Sequence, residues 1–183
     1  MCIRDSFENT GDGRVIGLEA LLRYSWNDGP LSGWIAYTLS RSERRDDPAQ
    51  PYTTFAWDQT HVLCAIANLE LGRRWTLGAR YRYTTGAPYT PYSGGVVDLD
   101  AGAYSPLTFA TLGSARLDPF HQLDLRIEKQ WQFEAWKLGA YLEVRNVYNH
   151  RSAEGVAYSY DYARRSTIEG LPILPVLGVR GEL

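Results

Sequence analysis

The 183 residues are 44% apolar and 22% charged, an ordinary balance for one folded domain, and a net charge of −2 gives no reason to expect a nucleic-acid partner. No apolar run approaches the ~18 residues of a helical span and mean hydropathy is −0.34, which excludes a helical membrane protein but not a barrel, whose strands alternate. The excess lies in 13 Tyr and 6 Trp, rings that favour membrane interfaces and ligand-binding loops.

The opening Met1-Cys2-Ile3-Arg4-Asp5-Ser6 has neither the apolar core nor the cleavage site of a signal peptide. Residues 1–13 therefore read as a non-barrel or truncated leader, 14–183 as the folded part, and the chain as a fragment. Cys2 and Cys64 are too few for a disulfide framework or a four-ligand metal site.

The first predicted strand runs from about Val15 to Trp26, with Ile16, Leu18, Ala20, Leu22, Tyr24 and Trp26 on one side. Asn27-Asp28-Gly29-Pro30 is a tight turn. The second strand, Leu31 to Ser42, sets Leu31, Ile35, Tyr37 and Leu39 against Ser32, Ala36, Thr38 and Ser40. The charged, proline-containing stretch from Arg41 to Pro51 reads as a long loop. In the third strand, His61 to Leu71, one side is Leu63, Ala65, Ala67, Leu69 and Leu71. Its other side, with Val62, Cys64 and Ile66, is apolar as well, so periodicity alone leaves its register open.

The fourth strand, Trp75 to Thr85, carries the clearest signal. Trp75, Leu77, Ala79, Tyr81 and Tyr83 alternate without a break against Thr76, Gly78, Arg80, Arg82 and Thr84. Its length suits the about 9–11 residues that cross a bilayer when tilted, and it has an aromatic at each end. After a Gly-, Pro- and Tyr-rich connection from Gly86 to Pro119 come a fifth strand, His121 to Trp131, and a sixth, Trp136 to Val147. A third long loop, Tyr148 to Gly170, precedes the last strand, Leu174 to Leu183.

Short and long connections alternate, as in outer-membrane barrels with short periplasmic turns and long extracellular loops. Seven strands are too few to close, and an open edge in lipid leaves backbone groups unpaired. The expected fold is all-β: an antiparallel transmembrane β-barrel segment whose seven meandering strands form an open, curved sheet.

On the polar side stand Arg80, Arg82, Asp124, Arg126, Glu128, Glu143 and Arg145, expected to face the lumen. If the 86–119 loop brings Thr85 near His121, Arg82 falls opposite Asp124, and such cross-strand pairs support a wet wall more readily than they define a transport path. The loop residues Tyr52, Trp57, Tyr89, Tyr92, Tyr104, Tyr158, Tyr160, Arg164 and Arg165 suit ligand capture by stacking and charge, with interface anchoring as the competing role. His61, His121 and His150 lack metal-ligand spacing, and Asp98 and Asp100 make an incomplete calcium ladder, so no metal or cofactor is expected. No serine sits in a nucleophile elbow, so no catalytic residue is expected.

The Thr85-Gly86-Ala87-Pro88-Tyr89-Thr90-Pro91 loop start and the Phe120-His121-Gln122-Leu123-Asp124-Leu125-Arg126 strand start form one half of a pattern. Glu143-Val144-Arg145-Asn146-Val147-Tyr148-Asn149, Gly170-Leu171-Pro172-Ile173-Leu174-Pro175 and Gly178-Val179-Arg180-Gly181-Glu182-Leu183 form the other. In this order and spacing they resemble the C-terminal part of TonB-dependent outer-membrane receptors. The resemblance implies a bacterial outer-membrane location, a barrel of 22 strands holding a plug, and import of a scarce ligand such as a siderophore, cobalamin or carbohydrate with energy delivered through TonB. It also implies several partners: membrane lipid, the plug and remaining strands, TonB through a missing N-terminal part, and the insertion machinery, which reads the C-terminal strand. There Gly178 fits the pattern, whereas Leu183 replaces the usual terminal aromatic. The competing classes are an outer-membrane enzyme, for which His61 and Asp58 are the residues to watch, and a soluble β-sandwich binding module.

Overall fold

A computed structural model describes residues 10–25 and 29–183. Of the predicted leader 1–13, residues 1–9 with Cys2 lie outside them, as do Trp26 and the Asn27-Asp28 turn, whereas Asp12 and Gly13 belong to the first strand. The described strands are β1 (Asp12–Ser25), β2 (Leu31–Arg45), β3 (Thr53–Thr54), β4 (His61–Gly72), β5 (Trp75–Thr84), β6 (Pro88–Tyr89), β7 (Gly94–Asp98), β8 (Ala103–Leu107), β9 (Ala115–Arg116), β10 (Phe120–Gln132), β11 (Lys137–Arg145), β12 (Ala153–Tyr158), β13 (Arg165–Glu169) and β14 (Leu174–Glu182).

The seven long strands form one antiparallel sheet in the order β1-β2-β4-β5-β10-β11-β14. It is an open barrel wall, because among the described residues β1 and β14 each pair on one side only. The long connections hold ribbons of their own: β3 pairs back on β2, β6 pairs with β9, β7 with β8, and β12 with β13. The β4–β5 and β10–β11 turns and the end of β14 lie at one end of the wall, since Trp75 pairs with Lys129, Gln132 with Lys137 and Lys137 with Glu182.

Directly paired residues share a face, so register decides what each face carries. One row, Tyr24, Gly33, Ala67, Ala79, Leu125, Val144 and Pro175, crosses all seven strands. A second, Leu31, Leu69, Leu77, Ile127, Leu142 and Leu177, crosses six. On the opposite face runs Ser25, Ser32, Asn68, Gly78, Arg126, Glu143 and Val176. The register that periodicity left open for β4 is thereby decided: Leu63, Ala65, Ala67 and Leu69 join the apolar face.

Aromatic residues flank this band. Tyr37, Tyr83 and His121 share one row towards the long loops. At the short-turn end lie Trp75 and Trp131, with Phe133 and Trp136 stacked 4.4 Å apart. No Val, Leu, Ile, Phe, Tyr or Trp among the described residues is buried, whereas Glu43, Asp58, Asp124, Asn146 and Ser152 are. A soluble sandwich would bury its apolar face against a second sheet, and the described residues contain no such layer.

Two expectations need correction. Arg41–Arg45 is not loop but the continuation of β2, because β1 extends to Asp12 and supplies partners for the alternating charges: Asp12 faces Arg45, and Arg14 faces Glu43. The β5–β10 register also differs by two residues, with Thr84 opposite Phe120. Thr85 turns instead to His61, accepting its N–H at 3.0 Å and donating its own N–H to the His61 carbonyl at 3.0 Å. Arg80, not Arg82, therefore stands opposite Asp124. A slip of two keeps the face and changes the partner.

Gly178 answers a steric demand. A Cβ there would collide with the ring of Tyr141, its cross-strand partner, on which the Arg126 guanidinium also stacks at 3.7 Å. Gly178→Val should therefore loosen β14, and Tyr141→Ala in the same chain should restore much of the loss. Amide exchange of β14 in the double-mutant cycle checks this; additive losses would exclude the collision. Leu125→Arg, mid-row on the apolar face, should cost about 2–4 kcal/mol in denaturant titrations of the lipid-folded chain. Thr76→Arg, between Glu70 and Glu128 on the other face, should cost little.

Candidate functional site

The polar face carries two clusters of ion pairs. Arg80 donates to Asp124 Oδ2 through Nε at 3.0 Å and Nη2 at 2.7 Å, and Arg82 approaches the same oxygen at 3.6 Å. The other oxygen of Asp124 accepts from Gln122 at 2.5 Å and from the Asn146 N–H at 3.0 Å. Arg126 reaches Glu128 at 2.6 Å and Glu143 at 3.8 Å, while Arg145 holds Glu143 at 2.8 Å. Arg180, which sequence reasoning passed over, adds to Glu128 at 3.8 Å and Glu182 at 3.3 Å. All seven predicted polar-face residues are thus engaged with one another, the arrangement expected of a supporting wall. Alternation of charge on neighbouring strands was the available signal; Arg180 was missed because its partner lies two strands away.

At the long-loop end the structure gathers most of the predicted ligand residues from two separate connections. Tyr92, just before β7, lies 5.0 Å from Tyr158 and edge-on to Tyr162 at 5.4 Å, and its N–H donates to the Tyr158 hydroxyl at 3.2 Å. Tyr104 of β8 meets Tyr160 edge-on at 5.4 Å, and the Tyr160 hydroxyl donates to the Gly102 carbonyl at 3.1 Å. The backbones come close too: a Cβ on Gly95 would lie 2.6 Å from the Asp161 carbonyl. Arg165 donates to the Tyr89 hydroxyl at 3.1 Å.

The remaining three stand apart. Tyr52 belongs to a charged group at the β1–β2 end, with its ring 4.1 Å from the Arg14 guanidinium and its hydroxyl donating to Asp12 at 3.0 Å. Trp57 is 81% exposed away from the cluster. Arg164 enters the local turn through its backbone, its N–H donating to Ser159 Oγ at 3.0 Å. Tyr162, which the sequence placed in this loop without a role, belongs to the cluster with a left-handed φ of 57°.

Sequence reasoning also missed a cavity of about 310 Å³ between the first two long connections. Arg44, stacked 4.0 Å from the Phe55 ring, and Tyr89 line it, at the small end of the range for organic ligands.

Two polar anchors hold these loops. Asp58, 1% exposed, accepts the Ser42 N–H at 2.6 Å and the Thr60 hydroxyl at 3.0 Å and pairs with Arg116, which also donates to the Gly86 carbonyl at 3.1 Å. Burial pushes the Asp58 carboxyl up, but Arg116, the Ser42 N–H and Thr60 outweigh it and hold it below the ordinary carboxylate value. Asn146, buried with φ of 55°, donates to the carbonyls of His150 at 2.8 Å and Leu171 at 3.1 Å. It pins both ends of the last long connection.

The pair watched for hydrolysis is not a relay. His61 Nδ1 bonds the Tyr37 hydroxyl at 2.8 Å, and both Asp58 oxygens are occupied as above. Asp98 closes its own turn, accepting the N–H groups of Asp100 and Ala101 at 3.0 Å.

An open antiparallel wall with one apolar face, one charged face and aromatic flanks is the wall of a transmembrane β-barrel. The family described as TonB dependent receptor-like, beta-barrel, matches residues 2–147, and the chain belongs to that family of outer-membrane receptors and transporters. No curated protein sequence and no solved structure matches it.

Because the Asp58 carboxyl is depressed in the fold, its clamp is complete above the ordinary value of about 3.9 and is lost only as pH falls through the lower folded value. Exchange of the amides of Ser42 and of Leu117, which follows Arg116 and donates to the Ala87 carbonyl at 3.0 Å, should stay slow down to that range after correction for intrinsic rates. Asp58→Asn should open both amides by about 1–3 kcal/mol at neutral pH. Equal protection in the variant would remove the clamp from the account.

Proposed function

We propose that the chain is part of an outer-membrane receptor that binds a scarce ligand at its extracellular loops and imports it with energy delivered through TonB. The observation that carries this reading is the convergence of Tyr92, Tyr104, Tyr158, Tyr160 and Tyr162 from two different connections at the long-loop end of a receptor-family barrel wall. Clustered tyrosines offer broad, rigid faces at low entropic cost, and Arg44 at the neighbouring cavity and Arg165 beside Tyr89 add positive charge. Siderophores, cobalamin and carbohydrates all present the rings, flat edges or hydroxyls that such a surface recognises.

In this reading the apolar face meets lipid and the charged ladder from Arg80 to Arg145 faces the lumen. The bare edges of β1 and β14 are completed by further barrel strands, and a plug fills the lumen and carries the TonB-coupling segment. The insertion machinery engages β14. The long-loop end is extracellular and the short-turn end periplasmic.

The test is intrinsic-fluorescence titration of the lipid-folded chain with a ferric catecholate complex, cyanocobalamin and a maltooligosaccharide. One of the three should quench saturably. Tyr92→Ala and Tyr158→Ala should each weaken it roughly 2- to 12-fold, and Trp131→Ala at the other end should leave the affinity unchanged. Silence with all three probes, or tyrosine variants indistinguishable from the parent, would sink the assignment of the loops.

A further inference from the structure

At the long-loop end of the β1–β2 pair, one face changes character within a single rung. Leu18 stands opposite Leu39, Ile16 opposite Arg41, and Arg14 opposite Glu43. Spaced two residues apart on each strand, all six side chains lie on the face of the apolar band. Ile16 and Leu18 are 72% and 66% exposed, whereas Glu43 is buried between two arginines. Arg14 holds its Oε2 through Nε at 2.7 Å and Nη2 at 2.6 Å; Arg41 holds Oε1 through Nε at 2.8 Å and Nη2 at 2.7 Å.

One carboxylate thus faces two guanidiniums, and each arginine keeps N–H donors outside the clamp. Arg45 nearby is neutralised by Asp12 at 2.6 Å, so the surplus positive charge sits on Arg14 and Arg41. Their side chains remain 52% and 76% exposed. A groove of about 640 Å³ runs from this charged end down to Ile16, Leu18 and Leu39.

We propose that this groove binds a membrane lipid with an anionic phosphate headgroup, the phosphate on Arg14 and Arg41 and an acyl chain along Ile16, Leu18 and Leu39. Guanidinium donors match phosphate oxygens in bidentate geometry, and the attraction strengthens beside a low-dielectric surface. The headgroup level and the acyl level adjoin on one wall, so a single amphipathic molecule covers both; a free phosphate ion would leave the apolar half bare. The inference rests on the reading of the apolar face as lipid-facing.

The chain in dodecyl maltoside is titrated with dimyristoyl phosphatidic acid, dimyristoyl phosphatidylcholine or inorganic phosphate, and bound lipid is counted by native mass spectrometry. Phosphatidic acid should load ahead of phosphatidylcholine. Arg14→Gln combined with Arg41→Gln should weaken that loading roughly tenfold or more. Glu43→Gln, which frees both arginines, should strengthen it, an effect that damage to the fold cannot mimic. Equal loading of the two lipids, weaker loading of Glu43→Gln, or displacement of phosphatidic acid by an equal concentration of inorganic phosphate would each overturn the site. Flotation with phosphatidylcholine vesicles separates the two levels. A chain that floats without preferring phosphatidic acid overturns the groove alone, and one that does not float overturns the membrane reading with it.

Discussion

Strand register is the constraint on which the rest of this wall depends. A residue paired directly across an antiparallel ladder shares its partner's face, so one consistent set of pairings carries the apolar row from Tyr24 on β1 to Pro175 on β14. A slip of one residue anywhere would send arginines into the apolar face and leucines among the ion pairs. In hydrocarbon the same ladders also have to satisfy every backbone N–H and C=O, since no water is there to do it. Hydrogen bonding and side-chain sorting therefore demand the same register, and each reinforces the other.

The inverted distribution of burial follows. The large apolar side chains stay at least partly exposed because their cover is lipid, and the side chains that protein buries are mostly polar ones that must find partners. Asp124 illustrates the cost and its compensation: two arginines, Gln122 and the Asn146 N–H converge on one carboxylate. Individual cross-strand pairs contribute only roughly 0.2–1 kcal/mol. Their value here is collective, since a ladder of alternating charge penalises a shifted register at every rung.

The wall also explains how the long connections are held in place. Asp58 with Arg116 ties the first long connection to the second, and Asn146 ties both ends of the last. Between these anchors the β7–β8 and β12–β13 ribbons lean together through tyrosines. The long connections therefore have rigid roots and present rings from two directions.

Alternation of period two, aromatic ends and the rhythm of short and long connections were sufficient to place the seven long strands and, β4 apart, their faces, while the order and spacing of the motifs at the strand ends carried the resemblance to the family. Those signals are local, and lipid on one side and water on the other write them directly into each strand. Partner identity was a different matter. Whether Asp124 meets Arg80 or Arg82 depends on a two-residue shift that leaves both faces unchanged, so periodicity is blind to it, and the hydrogen bonds of Thr85 with His61 decide it. The same holds for Asp58 with Arg116, 58 residues apart, and for the tyrosines of two ribbons 66 residues apart at Tyr92 and Tyr158. Contacts between loops have no period to read, and only the closed path of the chain brings them together.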